Sequence, residues 1–191
     1  MILEGLVTTL SESGTPHLAA MGPSVDPGMT RLLLRPFPTS TTYHNLLRHG
    51  EGVFHVTDDA LLIAQAAVGG IDVWPRIRPA QRVRGFILSE ACRYYEFVVR
   101  SVDTTRERVH MEAEIVGSGR QREFFGFNRA KHAVIEAAIL ATRFHLLAAE
   151  EIAAEFRKLR VIVDKTGGPA ERDAMTLLEN KWAQYRGESS R

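Results

Sequence analysis

The sequence predicts an α+β protein, an antiparallel β-barrel domain over residues 1–125 with an appended C-terminal helical subdomain over residues 126–191. Three observations carry this. From Arg82 to Val116 strand-like segments follow one another with short connections, which favours an antiparallel barrel over a doubly wound parallel sheet. After Gly126 the pattern changes to helical periodicity. With 191 residues, 45% apolar and 25% charged, the chain can bury a full core without metal or disulfide staples.

The elements read in order as follows. Ile2 to Leu10 is β-rich and ends at the turn Ser11-Glu12-Ser13-Gly14-Thr15-Pro16, and His17 to Gly22 resumes as a second strand, so the fold opens on a hairpin. Thr30 to Phe37 is a third, mostly buried strand stopped by Pro36 and Pro38, since proline cannot supply a ladder donor. Ser40 to His49 is a short helix with Gly50 at its C-terminus. Gly52 to Thr57 is a strand, and Asp58-Asp59 caps a helix over Ala60 to Ala67. Val83 to Leu88, Tyr94 to Val102 and Arg108 to Val116 are successive strands, with a turn at Asp103-Thr104-Thr105. Helices are predicted over Asn128 to Leu147, Glu150 to Asp164 and Ala170 to Tyr185. The first has Val134, Ala137, Ala141 and Phe144 on one face, and Thr166-Gly167-Gly168-Pro169 separates the last two. A frayed tail is expected from Glu188 to Arg191.

Several function classes have no support. The formal charge is +1 with acids and bases interspersed, so nothing in the overall field calls for nucleic acid or an anionic membrane. No apolar run approaches the roughly 20 residues of a spanning helix, and the N-terminus lacks the basic start of a secretory signal, so a cytoplasmic location is expected. Cys92 is the single cysteine, which excludes an internal disulfide and any multi-thiolate metal site. The histidines lack metal-binding spacings, and no Gly-x-Ser-x-Gly elbow is present. Gly117-Ser118-Gly119 lacks the third glycine of a dinucleotide fingerprint and reads as a turn. Glu90, Glu96, Glu112 and Glu114 are expected to alternate out to solvent.

The informative stretch is Pro27 to Gly50, which holds no Asp or Glu but carries Arg31, Arg35 and Arg48, with Ser40, Thr41 and Thr42 at the start of the short helix. A helix N-terminus offers unsatisfied N–H groups and a partial positive charge. Hydroxyls there, with an arginine closing the preceding strand, suit a ligand's phosphate; Ser40 or Thr41 acting simply as a cap is the alternative.

The runs Pro16-His17-Leu18-Ala19-Ala20-Met21-Gly22, Arg35-Pro36-Phe37, Ser40-Thr41-Thr42 with Asn45-Leu46, and Val56-Thr57-Asp58-Asp59 resemble a little-characterised family of flavin reductase-like split-barrel proteins that bind flavin mononucleotide (FMN). Asn128 to Ala137 and Val163-Asp164-Lys165-Thr166-Gly167-Gly168 resemble the same family's helical C-terminal region. The resemblance implies an antiparallel split β-barrel with FMN as cofactor. Arg35, Ser40, Thr41, Thr42 and Asn45 would hold its phosphate, and the backbone of Ala20, Met21 and Gly22 would lie against the isoalloxazine ring. It also implies a homodimer with the flavin in a groove between subunits. His55 stands where the family pattern has an asparagine.

The segment Trp74 to Arg84 joins Trp74 to Arg76, Arg78, Arg82 and Arg84, a basic loop with an aromatic that could cover a flavin or attract an anionic donor such as NAD(P)H; a solvated arginine-rich loop is the alternative. Its aromatics are not interleaved as a nucleic-acid stacking platform requires. Two functional classes follow: a flavin-dependent oxidoreductase of unknown substrate, in which the cofactor performs the chemistry, and a non-catalytic FMN-binding or dimeric interaction protein of the same fold.

Overall fold

The computed structural model describes residues 1–106 and 108–189. The chain forms two compact units: Met1–Thr57 with Trp74–Phe124, and Asp58–Val73 with the residues from Phe125 onward. The second unit therefore takes two separate stretches of sequence, where the linear reading made one cut near residue 125.

In the first unit, β1 (Gly5–Leu10), β2 (Pro16–Met21), β3 (Ser24–Val25), β4 (Arg31–Leu34), β5 (Glu51–Val56), β8 (Arg93–Asp103) and β9 (His110–Arg120) form one antiparallel sheet in the order β2-β1-β5-β8-β9-β4-β3. The sheet curls because the segment before β1 returns to its far edge: Ile2 bridges Ser24, the Leu3 N–H donates to the Pro23 carbonyl, and the Val25 N–H to that of Met1. Inside the curl lies a core of Val7, Leu32, Leu34, Phe54, Phe97 and Met111, closed on one side by Leu46 from α1 (Thr41–His49). The third strand is shorter than its apolar run, covering only Arg31–Leu34, and the two-residue β3 was too brief to leave a pattern of its own.

A second, small sheet pairs β6 (Ile77–Pro79) with β7 (Phe86–Leu88). The expected strand over Val83 to Leu88 is thus only half strand, because Glu96 gathers the residues before it into the hairpin turn. Its Oε2 accepts the backbone N–H groups of Gln81 at 3.0 Å, Arg82 at 2.5 Å and Val83 at 3.1 Å. Glu96 is accordingly 1% exposed, against the expectation that alternation sends it to solvent. Glu112 and Glu114 do face out, where they meet Ser101 and Arg100. Gly117-Ser118-Gly119 is not a turn but the end of β9. A Cβ on Gly119 would lie 2.5 Å from the Tyr94 hydroxyl, and one on Gly117 would lie 2.8 Å from Cγ of Arg82, so Gly119 makes room for the Tyr94 ring of β8 and Gly117 for the hairpin's Arg82.

The second unit consists of α2 (Ala60–Val68), α3 (Arg129–Ala141), α4 (Ala149–Thr166) and α5 (Pro169–Ser189), with a single 3₁₀ turn at Phe144–Leu146. The helix expected to run to Leu147 ends six residues earlier, where Thr142 and Arg143 bond back to the last turn. Ala60 and Ala64 of α2, Ala130, Val134 and Ala137 of α3, Ile152 and Phe156 of α4, and Met175 and Leu178 of α5 share one core. Burial of this many apolar side chains dominates the unit's stability, since small residues on α2 and α3 let the helix backbones approach. Asn128 caps α3 by accepting the Lys131 N–H and ties it to α4 by donating to the Thr166 carbonyl. Lys131 Nζ then reaches Glu171 Oε1 and the Asp58 carbonyl, both at 2.8 Å, while Glu171 Oε2 accepts the Gly168 N–H at the start of α5. Burial alone would raise the Glu171 carboxyl, but these donors outweigh it and hold it below the usual carboxylate range. Of the tail expected at 188–191, residues 188 and 189 belong to α5 and the last two lie outside the described residues. Among the described residues no helix is long and apolar enough to cross a membrane.

Candidate functional site

The site builds outward from α1. Phe37 to Ser40 make a tight turn in which both the Ser40 N–H (3.0 Å) and its hydroxyl (2.8 Å) donate to the Phe37 carbonyl. The same hydroxyl accepts the Tyr43 N–H, so Ser40 is the N-cap of α1 and its oxygen is engaged within the protein. At the other end Gly50 adopts φ 65°, the left-handed geometry that lets its N–H close onto the Leu46 carbonyl.

Two hydrogen bonds fix where the helix points. His49 Nε2 lies 3.1 Å from the Ser11 carbonyl, and Asn45 Nδ2 donates to Thr9 Oγ1 at 3.0 Å, so α1 runs parallel to β1. From His49 back to Thr42 the helix advances about 10 Å at 1.5 Å per residue, and three strand residues cover the same length. Thr42 therefore stands level with Thr8, and across the β1–β2 ladder Thr8 pairs with Leu18 and Val7 with Ala19. The N-terminus of α1 thus heads toward the end of β2 where Ala20, Met21 and Gly22 lie.

The N-terminus of α1 carries the partial positive charge of a helix end. No acidic residue occupies the first turn of α1, and the backbone N–H groups of Thr41 and Thr42 have no acceptor among the described residues. Thr41 is exposed and Thr42 is buried. Arg35, five residues upstream of the cap, is half-buried and makes no ion pair or hydrogen bond among the described residues. β2 is an edge strand of the seven-stranded sheet, so alternate backbone groups of Ala20 and Met21 face away from β1. The exposed Glu4 carboxylate lies 2.6 to 2.8 Å from where a Cβ on Gly22 would be, so a side chain there would displace it.

The residues predicted from the sequence divide accordingly. Thr41 and Thr42 form the start of α1, Arg35 follows β4 five residues before the cap, and Ala20, Met21 and Gly22 lie at the end of β2 toward which the helix N-terminus heads. Asn45 sits one turn deeper, with its amide nitrogen committed to Thr9. Trp74 is 45% exposed on the segment leading into β6, and no hydrogen bond or ring contact joins it to α1 or β2 among the described residues.

His55 is the buried polar residue the sequence left open. It is fully buried, its Nδ1 lies 3.3 Å from the Leu6 carbonyl, and its Nε2 is 3.0 Å from the Leu88 N–H. A backbone N–H can only donate, so Nε2 accepts, the proton sits on Nδ1, and the ring is neutral. Burial, reinforced by the charge of Arg78, lowers its pKa to about 3 despite the Leu6 carbonyl. The ring clamps β1, β5 and β7 together. His17, opposite Thr9 on β2, is also pushed below its ordinary value by burial.

A curled antiparallel sheet with a helix N-terminus turned toward its edge strand defines the class as a flavin reductase-like split barrel, and solved structures of that kind match. The flavin reductase of styrene monooxygenase from Pseudomonas putida S12 matches with a TM-score of 0.55 at 12% identity, over 62% of this chain and 80% of that one. Flavoredoxin of Desulfovibrio vulgaris (Miyazaki F) matches at 0.51 and 14%, over 62% and 69%. The whole chain, helices included, matches an FMN-bound DUF447 protein from Methanosarcina mazei with a TM-score of 0.81 at 24% identity, over 94% of each chain. Residues 3–122 fit the N-terminal domain model, and residues 128–180 the C-terminal model, of the protein of unknown function DUF447. The chain belongs to the DUF447 family. No curated protein matches it.

Proposed function

We propose that this chain is an FMN-binding flavoprotein that acts as an oxidoreductase, taking electrons from a reduced donor of the NAD(P)H type and working as a homodimer. The observation that carries the reading is a half-buried Arg35, without a partner among the described residues, just upstream of an acid-free helix N-terminus whose first two N–H groups lack acceptors among the described residues. A phosphate dianion is the ligand that suits an arginine and a free helix N-terminus together. The FMN-bound relative that matches along the full chain supports the same choice of ligand.

When bound, FMN supplies the redox chemistry. The protein's part is to hold and orient. Arg35 and the N–H groups of Thr41 and Thr42 hold the phosphate, with the Thr41 hydroxyl beside them. The outward N–H groups at the end of β2 flank the ring, where donors oppose the negative charge that builds on reduction. Gly22 keeps that stretch of backbone free of a side chain. Trp74, exposed as it is, supplies an apolar surface for covering the ring.

Arg35→Ala combined with Thr41→Ala tests the reading. Two charge-assisted contacts at about 1.5 to 3 kcal/mol each predict a loss of FMN affinity of at least a hundredfold. The assay is quenching of flavin fluorescence, with circular dichroism to confirm the fold and elution volume to report the dimer. Unchanged affinity in a folded double variant refutes the phosphate assignment. Reduction of the bound flavin by NADH or NADPH at a useful rate supports the oxidoreductase; a flavin that is bound but hardly reduced by either refutes the donor.

A further inference from the structure

The β6–β7 hairpin carries Arg76, Arg78, Arg82 and Arg84, and among the described residues only Arg84 has a carboxylate partner, Glu51 at 3.4 Å. Arg78 is instead positioned by neutral groups. Its Nε and Nη2 donate to the Gln121 Oε1 at 3.3 and 3.0 Å, and its guanidinium lies 5.0 Å from the Tyr94 ring centroid. Gln121 is itself anchored, its Nε2 donating to the carbonyls of Leu88 and Ala91. The charge is thus held in place without being cancelled. Arg82 is fixed at its root, since its N–H is one of the three that Glu96 accepts and its Cβ and Cγ pack over Gly117, while the side chain runs out to solvent.

Arg78 over Tyr94 and Arg82 over Gly117 stand on one face of the β8–β9 pair, because Tyr94 is opposite Gly119 and Glu96 opposite Gly117. That places the Arg78 guanidinium and the Arg82 Cβ–Cγ stem one two-residue strand step apart, about 7 Å. Arg76 flanks them, its carbonyl held by the Ser89 N–H. The turn itself cannot bind an anion through its backbone, because Glu96 already fills the nest of three N–H groups. The free capacity of the hairpin lies in its guanidinium groups, which favour planar, multidentate oxyanions.

We propose that the hairpin is a second anion site, separate from α1, which binds the diphosphate or phosphate of a small phosphorylated molecule through Arg78 and Arg82. The site does not depend on the flavin reading and is tested on FMN-free protein. Inorganic pyrophosphate and adenosine 5′-diphosphate are titrated by calorimetry at low and moderate salt. Binding that weakens as salt rises, falls at least tenfold in Arg82→Ser and in Arg78→Ala, and is unchanged in Arg35→Ala is the expected result. Arg82→Ser removes only an exposed side chain, so it remains informative if Arg78→Ala loosens the fold. Adenosine diphosphate binding more tightly than pyrophosphate identifies a nucleotide as the source; equal binding identifies the phosphates alone. Absence of binding, equal binding by Arg82→Ser, or loss of binding in Arg35→Ala overturns the proposal, the last because it returns the anion to α1.

Discussion

Replacing His55 with asparagine should flatten the dependence of stability on pH between 7 and 4. In the folded chain the ring titrates at about 3, against 6.5 for the free side chain. The depressed value means that the unfolded chain binds a proton first as pH falls. His55 therefore contributes its full stability above 6.5 and loses it progressively down to about 3, at roughly 1.4 kcal/mol per pH unit. Between pH 6.5 and pH 4 the wild type should lose about 3 kcal/mol from this residue alone. An asparagine has an acceptor and a donor for the same Leu88 and Leu6 groups but does not titrate. Its smaller volume should cost about 1 to 3 kcal/mol at pH 7, through a void and lengthened bonds. Urea titrations of FMN-free protein at pH 7, 5.5 and 4 give both quantities, and the carboxylates, common to both proteins, cancel in the difference. The wild type should lose about 3 kcal/mol more than the variant over the range. Equal losses would mean that His55 is not held neutral, and the clamp between β1, β5 and β7 would have to be abandoned.

Gly119→Ala should cost about 1 to 3 kcal/mol, because the new methyl meets the buried Tyr94 ring, whereas Gly117→Ala should cost less, because the exposed Arg82 side chain can swing aside; thermal melts of the two compare them directly. Lys131→Met leaves Glu171 buried without its cation and should destabilise the protein by about 1 to 3 kcal/mol at pH 7. That deficit should shrink on acidification, since the wild-type pair loses its stabilisation as Glu171 takes up a proton, and denaturation at pH 7 and 4 checks it. Ser40→Ala should cost about 1 kcal/mol in stability through loss of the cap. A calorimetric scan measures it, and an unchanged melting temperature would deny the serine its capping role.

Features encoded locally were legible in the sequence. α1 could be read from Ser40 and Gly50, α2 from Asp59, and the β1–β2 hairpin from its Gly and Pro punctuation, because caps and turns depend on a few neighbouring residues. The acid-free run around Arg35 drew attention to the start of α1, where the structure shows no acidic residue in the first turn. Long-range contacts left no such mark. Glu96 and Glu112 both look like outward strand residues; only the hairpin folding over β8 and β9 turns the first into a buried acceptor for Gln81, Arg82 and Val83. Gly117 and Gly119 mimic a turn for a similar reason, since clearance for Arg82 of the hairpin and for the Tyr94 ring calls for the same residue as a bend in the chain. His55 looked like a departure from a pattern, and its partners on β1 and β7 appear only once those strands are assembled around it.

The two-part origin of the helical unit has a consequence during synthesis. α2 leaves the ribosome about sixty residues ahead of α3, which at 5–20 residues per second is a wait of roughly 3 to 12 s. Ala60 and Ala64 have no partners in that interval, while every strand of the curled sheet emerges before Arg129 does. The nascent chain can therefore complete its sheet with α2 held out as an unfinished loop, and the last helices then arrive to a docking strip already presented. Shortening or stiffening the connection between Val68 and Trp74 should act on the yield of that late step far more than on the finished protein.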